Sequence, residues 1–229
     1  MFEQKRHVAV FVQARAGSRR CANKILRPFA GTTLIDICLD KLAALGDLPT
    51  FFGAHEEALL GKADRHPSIT VVRRSRASAE SHSDARRIFE MLEHVPSPYV
   101  CWINPCHPFL TMRTVREAIE RFTSSPCRSM TSVVLRKGWF YNAKAQPLTN
   151  LAVQADTSLS DSLFEVAHAF HIYERERMLL AGLPWENAQD DPALYEIQPG
   201  EAWDIDTEEQ FVMVEALYKT RMAAGNLRP

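Results

Sequence analysis

The stretch that decides the fold is residues 7–24, which read HVAVFVQARAGSRRCANK. Its first part is a short apolar run rich in β-branched and aromatic side chains, and this predicts a buried strand over residues 7–13. The rest is a loop that holds four cations and several small residues. A strand followed at once by such a loop is typical of the opening of a βα unit.

A helix is predicted directly after the loop. Apolar residues recur at helical spacing from Leu34 to Leu42. Thr33 and Asp36 form a capping-box pattern before them, and Gly46 provides a C-terminal stop. Strand, loop and helix therefore follow one another in the order that builds a parallel sheet covered by helices.

The same alternation continues along the chain. Further strands are predicted at 50–54, 69–73, 99–104 and 164–173. The run at 99–104 has few polar interruptions, which suits a central strand that is buried on both faces. Amphipathic helices are predicted at 83–93 and 115–122, and further helices at 174–181 and 207–223.

The periodicity lapses between about 136 and 163, which predicts a small protruding lobe. The chain shows no internal repeat and no linker-like composition. We therefore expect a single α/β domain over residues 1–229, with a mostly parallel sheet and helices on both of its faces.

Composition excludes several classes of protein. The chain has 229 residues, 46% of them apolar, and its 27 basic and 28 acidic residues leave a net charge of −1. A fibrous or disordered protein is excluded, and the balanced charge offers no field for a nucleic-acid backbone or an anionic membrane. Any phosphate site must therefore be local.

The five cysteines are odd in number and include no CxxC pair, so we expect neither a disulfide framework nor a zinc ribbon. The apolar run near the N-terminus is too short for a signal peptide, and no stretch approaches the ~20 apolar residues that span a bilayer. A reducing cytoplasm is the predicted location.

The basic loop predicts a phosphate site. Open α/β sheets bind ligands beyond the carboxyl ends of their strands, and Gly17 and Ser18 would let the backbone approach an anion. The loop lacks the three glycines of a dinucleotide fingerprint, and Asn23 stands where a P-loop has its second glycine before Lys24. On charge and position alone, a solvated basic loop remains the alternative.

A second cluster of charge lies near the C-terminus. In an extended segment, alternate side chains share a face about 6.5 to 7 Å apart, so Asp204 and Asp206 could converge on one cation while Ile205 enters the core. Magnesium fits, since it prefers carboxylate and phosphate oxygens. The alternative is that Asp206 or Thr207 caps the following helix, with Gln210 completing a capping box.

Three segments together resemble sugar-acid cytidylyltransferases, the enzymes that make CMP-sialic acid and related CMP-sugars. The first is the basic loop, whose residues 13–15 look still more like the spore-coat polysaccharide branch of the same nucleotidyltransferase superfamily. The second is INPCHPFL at 103–110, which is similar to the family block LQPTSPLR. The third is DIDT at 204–207, which is similar to the family's acidic motif. Their order and separation agree with the family.

The resemblance implies a Rossmann-like fold of the nucleotide-diphospho-sugar transferase type. It also implies transfer of CMP from CTP to an acidic 2-keto-3-deoxy sugar, with release of pyrophosphate, for surface glycan biosynthesis. A homodimer through the lobe after Arg136 is implied, and residues 136–142 are expected to form the remaining wall of the acceptor site.

Residue roles are also carried over by the resemblance. Arg15, Lys24 and Asp206 are the implied catalytic residues, and Asp204 with Asp206 is implied to hold Mg²⁺. Asn104, at the family's glutamine, is the implied contact to the sugar acid. The implied nucleotide-binding residues are Ala14, Arg15, Gly17, Ser18, Arg19 and Lys24.

The chain departs from the family at Asn23, Ile25 and Leu110. It also departs at 167–168, where Ala-His stands in place of the family's Asn-Gly. These departures keep two alternatives open. One is a nucleotide-binding regulatory protein that has lost catalysis, and the other is a cytidylyltransferase that acts on a non-sugar acceptor.

Other patterns are weaker. Cys106 and His107 are residue types that can act as nucleophile and base. We do not expect them to act together, because neighbouring side chains of an extended chain point apart. His168 and His171 lie on one predicted strand but have no acidic partner nearby in sequence for zinc. The aromatic run 139–141 could line a sugar pocket or a dimer contact, although packing is the commoner role of such a cluster.

Overall fold

The computed structural model describes residues 6–150 and 156–225. A seven-stranded sheet and a short two-stranded hairpin are built from β1 (Val8–Gln13), β2 (Pro28–Phe29), β3 (Thr32–Thr33), β4 (Thr50–Ala54), β5 (Ile69–Arg73), β6 (Tyr99–Ile103), β7 (Met130–Lys137), β8 (Ser162–Glu174) and β9 (Ala193–Glu196).

The helices lie between these strands and after the last of them. They are α1 (Leu34–Ala43), α2 (Glu57–Ala63), α3 (Arg76–Glu80), α4 (Ala85–Ile88), α5 (Met112–Thr123), α6 (Arg175–Ala181) and α7 (Glu208–Ala223), with 3₁₀ turns at Glu90–His94 and Thr157–Leu159. No helix in the described part of the chain is long and apolar enough to cross a membrane.

The large sheet has the order β5-β4-β1-β6-β8-β7-β9. β1 pairs in parallel with β4 and β6, β4 with β5, and β7 with β9, whereas β8 runs antiparallel to both of its neighbours. The chain moves outward from β1 to β4 and β5 and then crosses to the other side of β1 to form β6. The strand order therefore reverses between β1 and β6, where open α/β sheets bind their ligands.

Both faces of the sheet are buried. On β1, Val10 and Val12 enter one core cluster with Leu39 of α1, while Phe11 enters a second cluster with Met178 of α6. A fully buried side chain of this size contributes about 1.5 to 3 kcal/mol. The predicted α/β fold, with a mostly parallel sheet and helices on both faces, is confirmed.

Most predicted elements are present, with shifted ends. The last helix begins after its N-cap Thr207, and Gln210 completes the capping box. α1 is capped by the Thr33 hydroxyl, but it ends at Ala43, earlier than a stop at Gly46 predicted. The predicted strand at 164–173 is longer at both ends, because β8 begins beside the outer part of β7 and its last residue, Glu174, pairs with Tyr99 of β6.

The continuous helix predicted at 83–93 is wrong. α4 ends at Ile88 and the chain continues as the 3₁₀ turn. The Ile88 carbonyl accepts from Arg74 Nη2 at 3.1 Å and from Ser78 Oγ at 3.2 Å, so Leu92 N–H donates instead to Phe89 at 3.0 Å. Side-chain donors have replaced the hydrogen bond that would continue the α-helix.

The lobe predicted at 136–163 lies between β7 and β8. Its outermost strand pair joins Lys137 to Ser162, and the chain between them includes a bridge from Tyr141 to Pro147. Residues 151–155 fall outside the described part of the lobe. The aromatic side chains Trp139 and Tyr141 are half exposed here.

Candidate active site

A cavity of about 940 Å³ opens beyond the carboxyl ends of β1 and β6, at the reversal of strand order. The basic loop after β1 forms one side of it. The other side is formed by Trp102 of β6, by Asn104 directly after this strand, by β8 and by the chain after α6. Asp204 and Asp206 also line it, so the two charged segments predicted from the sequence face the same cavity.

The loop is fixed at its base by hydrogen bonds. Ala14 N–H donates to Gly53 carbonyl oxygen at 2.9 Å, and Ala16 N–H donates to Glu56 Oε1 at 2.9 Å. Ala14, Ser18 and Arg19 line the cavity. Gly17 is exposed and is not among the residues that line the cavity.

Arg15 lines the cavity and contacts the segment before α4. Its Nη1 donates to the Ser81 carbonyl oxygen at 3.2 Å and lies 2.7 Å from His82 Nδ1. Both partners precede α4. The guanidinium therefore ties the loop after β1 to the segment before α4 while it lines the cavity.

Lys24 joins the loop to the acidic segment. Its ammonium donates to the Ile205 carbonyl oxygen and lies 3.2 Å from Asp206 Oδ1, and Arg20 Nη2 is 2.8 Å from the same oxygen. Burial disfavours the charged ammonium, but the acidic groups around it, Asp206 and Asp204 among them, hold the pKa of Lys24 above its ordinary value. Lys24 therefore stays positively charged.

Asp204 lies deeper than Asp206. Asn104 Nδ2 is 3.4 Å from Asp204 Oδ2 and also donates to the His168 carbonyl oxygen at 3.2 Å. Burial works to raise the pKa of Asp204, but His107 and Lys24 nearby hold it below its usual value. Asp204 is therefore a buried anion, with His107 Nε2 3.7 Å from Oδ2.

The acidic pair fits a magnesium ion. Ile205 is fully buried between the two aspartates, as the alternation predicts. Asp204 Oδ1 is buried and, within the described chain, has no hydrogen-bond partner, which leaves an anionic oxygen for a cation. Thr207 is the helix cap, so the capping alternative does not need Asp206. Across residues 6–150 and 156–225, no group of three or more His, Cys, Asp or Glu is arranged to hold a metal, so phosphate oxygens and water would complete the coordination.

The side of the cavity opposite the loop is aromatic. The rings of Trp102 and His171 stack with centroids 5.4 Å apart and an interplanar angle of 13°. Trp185, in the chain after α6, meets His171 edge-on at 5.1 Å. Burial lowers the pKa of His171 to about 3, so this imidazole is neutral.

A bulge brings the two histidines of β8 together. Residues three apart on a regular strand point to opposite faces, yet His168 Nδ1 lies 2.8 Å from His171 Nε2. The pairing of β7 with β8 skips from Thr131 and His171 to Val133 and Val166, and His168 has a left-handed φ of 56°. The two rings contact each other, and Thr131 Oγ1 lies 2.7 Å from His171 Nδ1, so the inner imidazole is held from both sides.

Several residues of the cavity were not predicted. Arg74, which follows β5, is buried and donates to the Ala14 carbonyl oxygen at 3.2 Å. Trp102, His171 and Tyr173 lie within strand patterns that indicate only core packing. The one signal in the sequence that indicates Arg74 is its position directly after the predicted strand at 69–73.

Cys106 and His107 do not act together, as their adjacency in an extended chain predicts, whereas the wall that the resemblance placed at 136–142 is wrong. Burial raises the pKa of the Cys106 thiol to about 11, and neither ring nitrogen of His107 has a hydrogen-bond partner in the described chain, so they form no nucleophile and base. The cavity is lined by none of residues 136–142, so the lobe does not supply the remaining wall. Trp102 and Trp185 line the side of the cavity opposite the loop.

The sheet order, the cavity at the strand reversal, and cations that face two carboxylates define a nucleotide-binding α/β protein. The chain belongs to the cytidylyltransferase family, whose model matches residues 9–225. It is therefore an enzyme of the nucleotidyltransferase class, as the resemblance implied.

Solved structures share the fold. The chain is similar to a CMP:2-keto-3-deoxy-manno-octonic acid synthetase complexed with CTP, with a TM-score of 0.69 and 15% identity over 94% of this chain and 99% of that one. It is also similar to 4-diphosphocytidyl-2C-methyl-D-erythritol synthase from Anaerococcus prevotii DSM 20548, with a TM-score of 0.65 and 9% identity over 94% and 100% of the two chains. No curated protein sequence matches the chain.

Proposed function

We propose that the protein transfers CMP from CTP to an acidic 2-keto-3-deoxy sugar and releases pyrophosphate. The observation that carries this proposal is the charge of the cavity, where five cations face two carboxylates. A triphosphate together with an acceptor carboxylate would balance that excess. The CTP bound to the synthetase of similar fold supports the choice of nucleotide.

In this reaction the anomeric hydroxyl of the acceptor attacks the α-phosphorus in line with the leaving pyrophosphate. Arg15 and Arg19, with the Ser18 hydroxyl, would bind the triphosphate from the loop side. Lys24 would bind it next to the acidic pair. The developing negative charge would therefore meet cations that are already in place, which is the usual source of catalysis in phosphoryl and nucleotidyl transfer.

Asp204 and Asp206 would hold Mg²⁺, which when bound supplies positive charge to the phosphates and lowers the pKa of the attacking hydroxyl. Asn104 would hold the acceptor. Its amide already contacts Asp204 and the His168 carbonyl oxygen, so it lies between the acidic pair and the aromatic side of the cavity. An acceptor bound there would lie next to the α-phosphate.

A second candidate is transfer to a non-sugar acceptor. The aromatic side of the cavity favours it, because Trp102 and Trp185 would also pack against an apolar alcohol. We also propose a cytoplasmic homodimer that forms through the lobe, where Trp139, Tyr141 and Leu148 are exposed apolar side chains. Sedimentation of the purified protein tests the dimer.

One assay separates the proposed activities. Pyrophosphate release is measured for CTP, UTP, ATP and GTP, each with sialic, octulosonic and non-sugar acceptors and with magnesium. We expect release only with CTP and a sugar acid. Release with a non-sugar alcohol alone would support the second candidate, and CTP binding without any release would identify a binding protein that lacks catalysis.

A further inference from the structure

The aromatic side of the cavity differs in charge from the loop side. We name it the aromatic wall and define it by six lining residues of β6, β8, α6 and the chain after α6, namely Trp102, His168, His171, Tyr173, Met178 and Trp185. None of these six is an acid, a lysine or an arginine. The lysine and arginines that line the cavity belong to the loop after β1 and to Arg74.

Two polar atoms of the aromatic wall are buried and unpaired. Within the described chain, neither Trp102 Nε1 nor Tyr173 OH has a hydrogen-bond partner. Trp102 is 9% exposed and Tyr173 is 1% exposed. An unpaired buried donor costs free energy, so a ligand oxygen that reached either atom would be stabilised there.

The rings beside these atoms offer flat apolar faces. His171 stacks on Trp102, and Trp185 contacts the edge of His171. Aromatic faces of this kind pack against the C–H faces of a saturated ring or chain. The indole N–H of Trp102 is a donor only, and the phenol of Tyr173 both donates and accepts, so the complementary ligand atoms are oxygens such as hydroxyl or amide carbonyl groups.

On the basis of the function proposed above, we propose that the aromatic wall is a subsite for the uncharged, oxygen-bearing part of the acceptor. The Trp102 indole N–H and the Tyr173 hydroxyl hydrogen-bond to its hydroxyl or acylamino oxygens. The subsite disfavours an acceptor that places a phosphate or a second carboxylate there, because no cation of the wall would pair with that charge.

The test uses acceptor analogues that cannot react. A 2-deoxy sugar acid has hydrogen in place of the anomeric hydroxyl, so its binding is independent of turnover. Calorimetry measures binding of the 2-deoxy analogues of sialic and octulosonic acids, and of erythritol 4-phosphate as a charged comparison, to the protein with CTP present. The variants are Tyr173→Phe and Trp102→Phe, with Tyr195→Phe, which lies outside the cavity lining, as the matched control.

We expect the sugar-acid analogues to bind more tightly than erythritol 4-phosphate. Tyr173→Phe should weaken their binding about tenfold and leave CTP affinity unchanged, because one neutral hydrogen bond is lost. Its melting temperature should stay the same or rise, since an unpaired buried hydroxyl has been removed. Trp102→Phe should weaken binding as well, and Tyr195→Phe should not.

Unchanged binding in both Tyr173→Phe and Trp102→Phe would overturn the subsite, as would tighter binding of erythritol 4-phosphate or a wild-type protein that binds neither analogue. Failure of the proposed function has a different signature. If the analogues bind through Tyr173 but the free sugar acids release no pyrophosphate, the subsite stands and the proposed reaction is wrong.

Discussion

The loop side of the cavity and the aromatic wall hold their polar groups in opposite ways. On the loop side, Lys24 is paired with Asp206, and Arg15 is held by the Ser81 carbonyl oxygen. On the aromatic wall, Trp102 Nε1 and Tyr173 OH have no partner within the described chain. A triphosphate must therefore exchange existing contacts for its own, whereas an oxygen on the wall adds contacts. Affinity for the nucleotide should depend on charge, and selection of the acceptor on hydrogen bonding.

The strongest test of the loop side is Asp206→Asn. The change removes the negative charge and keeps the shape, so we expect turnover to fall by about 10³-fold or more, since a metal-assisted step loses several kcal/mol of stabilisation. The melting temperature should barely move, because Thr207 caps the helix. Pyrophosphate release and thermal unfolding measure the two effects, with the exposed Glu209→Gln as the control. Near-normal, magnesium-dependent turnover would remove Asp206 from the metal site.

The next largest effect is expected for the cations. Lys24→Met and Arg15→Ala should each weaken CTP binding by roughly ten- to a hundredfold, because a charged hydrogen bond contributes about 1.5 to 3 kcal/mol. Arg65→Ala, whose guanidinium pairs with Asp36 outside the cavity lining, should leave CTP binding unchanged. Titration calorimetry measures the affinities. Equal CTP affinity in all three variants would mean that the loop is only a solvated surface.

A third test concerns the neutral imidazole of the wall. The pKa of His171 is about 3 in the folded protein and about 6.5 when unfolded, so between these values the unfolded state binds more protons. The contribution of His171 to the free energy of unfolding should therefore be greatest above pH 6.5. Below that pH it should fall by about 1.4 kcal/mol for each pH unit.

Urea unfolding of wild type and His171→Phe between pH 7 and 5 measures this contribution. The variant should show a shallower dependence on pH, even if its stability at pH 7 is lower because Thr131 loses a partner. His94→Phe, at an exposed position, is the control and should keep the wild-type slope. Parallel slopes for wild type and His171→Phe would contradict a neutral, buried His171.

The smallest expected effect distinguishes the helix cap, Thr207, from the proposed metal ligand beside it, Asp206. Thr207→Ala removes the hydroxyl that accepts from Gln210 N–H at 3.3 Å and should cost about 1 kcal/mol, or roughly 2 to 4 °C in melting temperature. Asp206→Ala removes no helix cap and should lower the melting temperature less. Thermal scans of the two variants check this order, and the reverse order would return the capping role to Asp206.

The charged side of the site was largely predictable from the sequence. A basic loop after a buried strand and an alternating acidic pair are local patterns, and the structure places Arg15, Lys24 and Asp206 around one cavity. The meeting of Lys24 with Asp206 does not follow from strand order, because β9, the strand before Asp206, is separated from β1 by β6, β8 and β7. Ile205 N–H donates to the Cys106 carbonyl oxygen at 3.2 Å, and this contact brings the acidic segment to the end of β6, next to β1. Gly17 is also an exception, since it is not among the residues that line the cavity.

The aromatic wall was not predictable in the same way. Within a strand, Trp102 and Tyr173 have the pattern of core residues, and burial alone does not distinguish a packed ring from one that lines a cavity. The approach of His168 to His171 depends on a bulge that only the pairing of β7 with β8 determines. The end of α4 at Ile88 has a similar cause, because Arg74, which follows β5, donates to the Ile88 carbonyl oxygen.

The contact between Lys24 and the acidic segment has a consequence for refolding kinetics. Lys24 and Asp206 are 182 residues apart in sequence, so their meeting closes a very long loop. Contacts of such large sequence separation form late, after local helices and neighbouring strands. Recovery of CTP binding in a refolding experiment should therefore lag behind recovery of the far-ultraviolet circular dichroism signal, because nucleotide binding requires the N-terminal and C-terminal parts of the chain to have met.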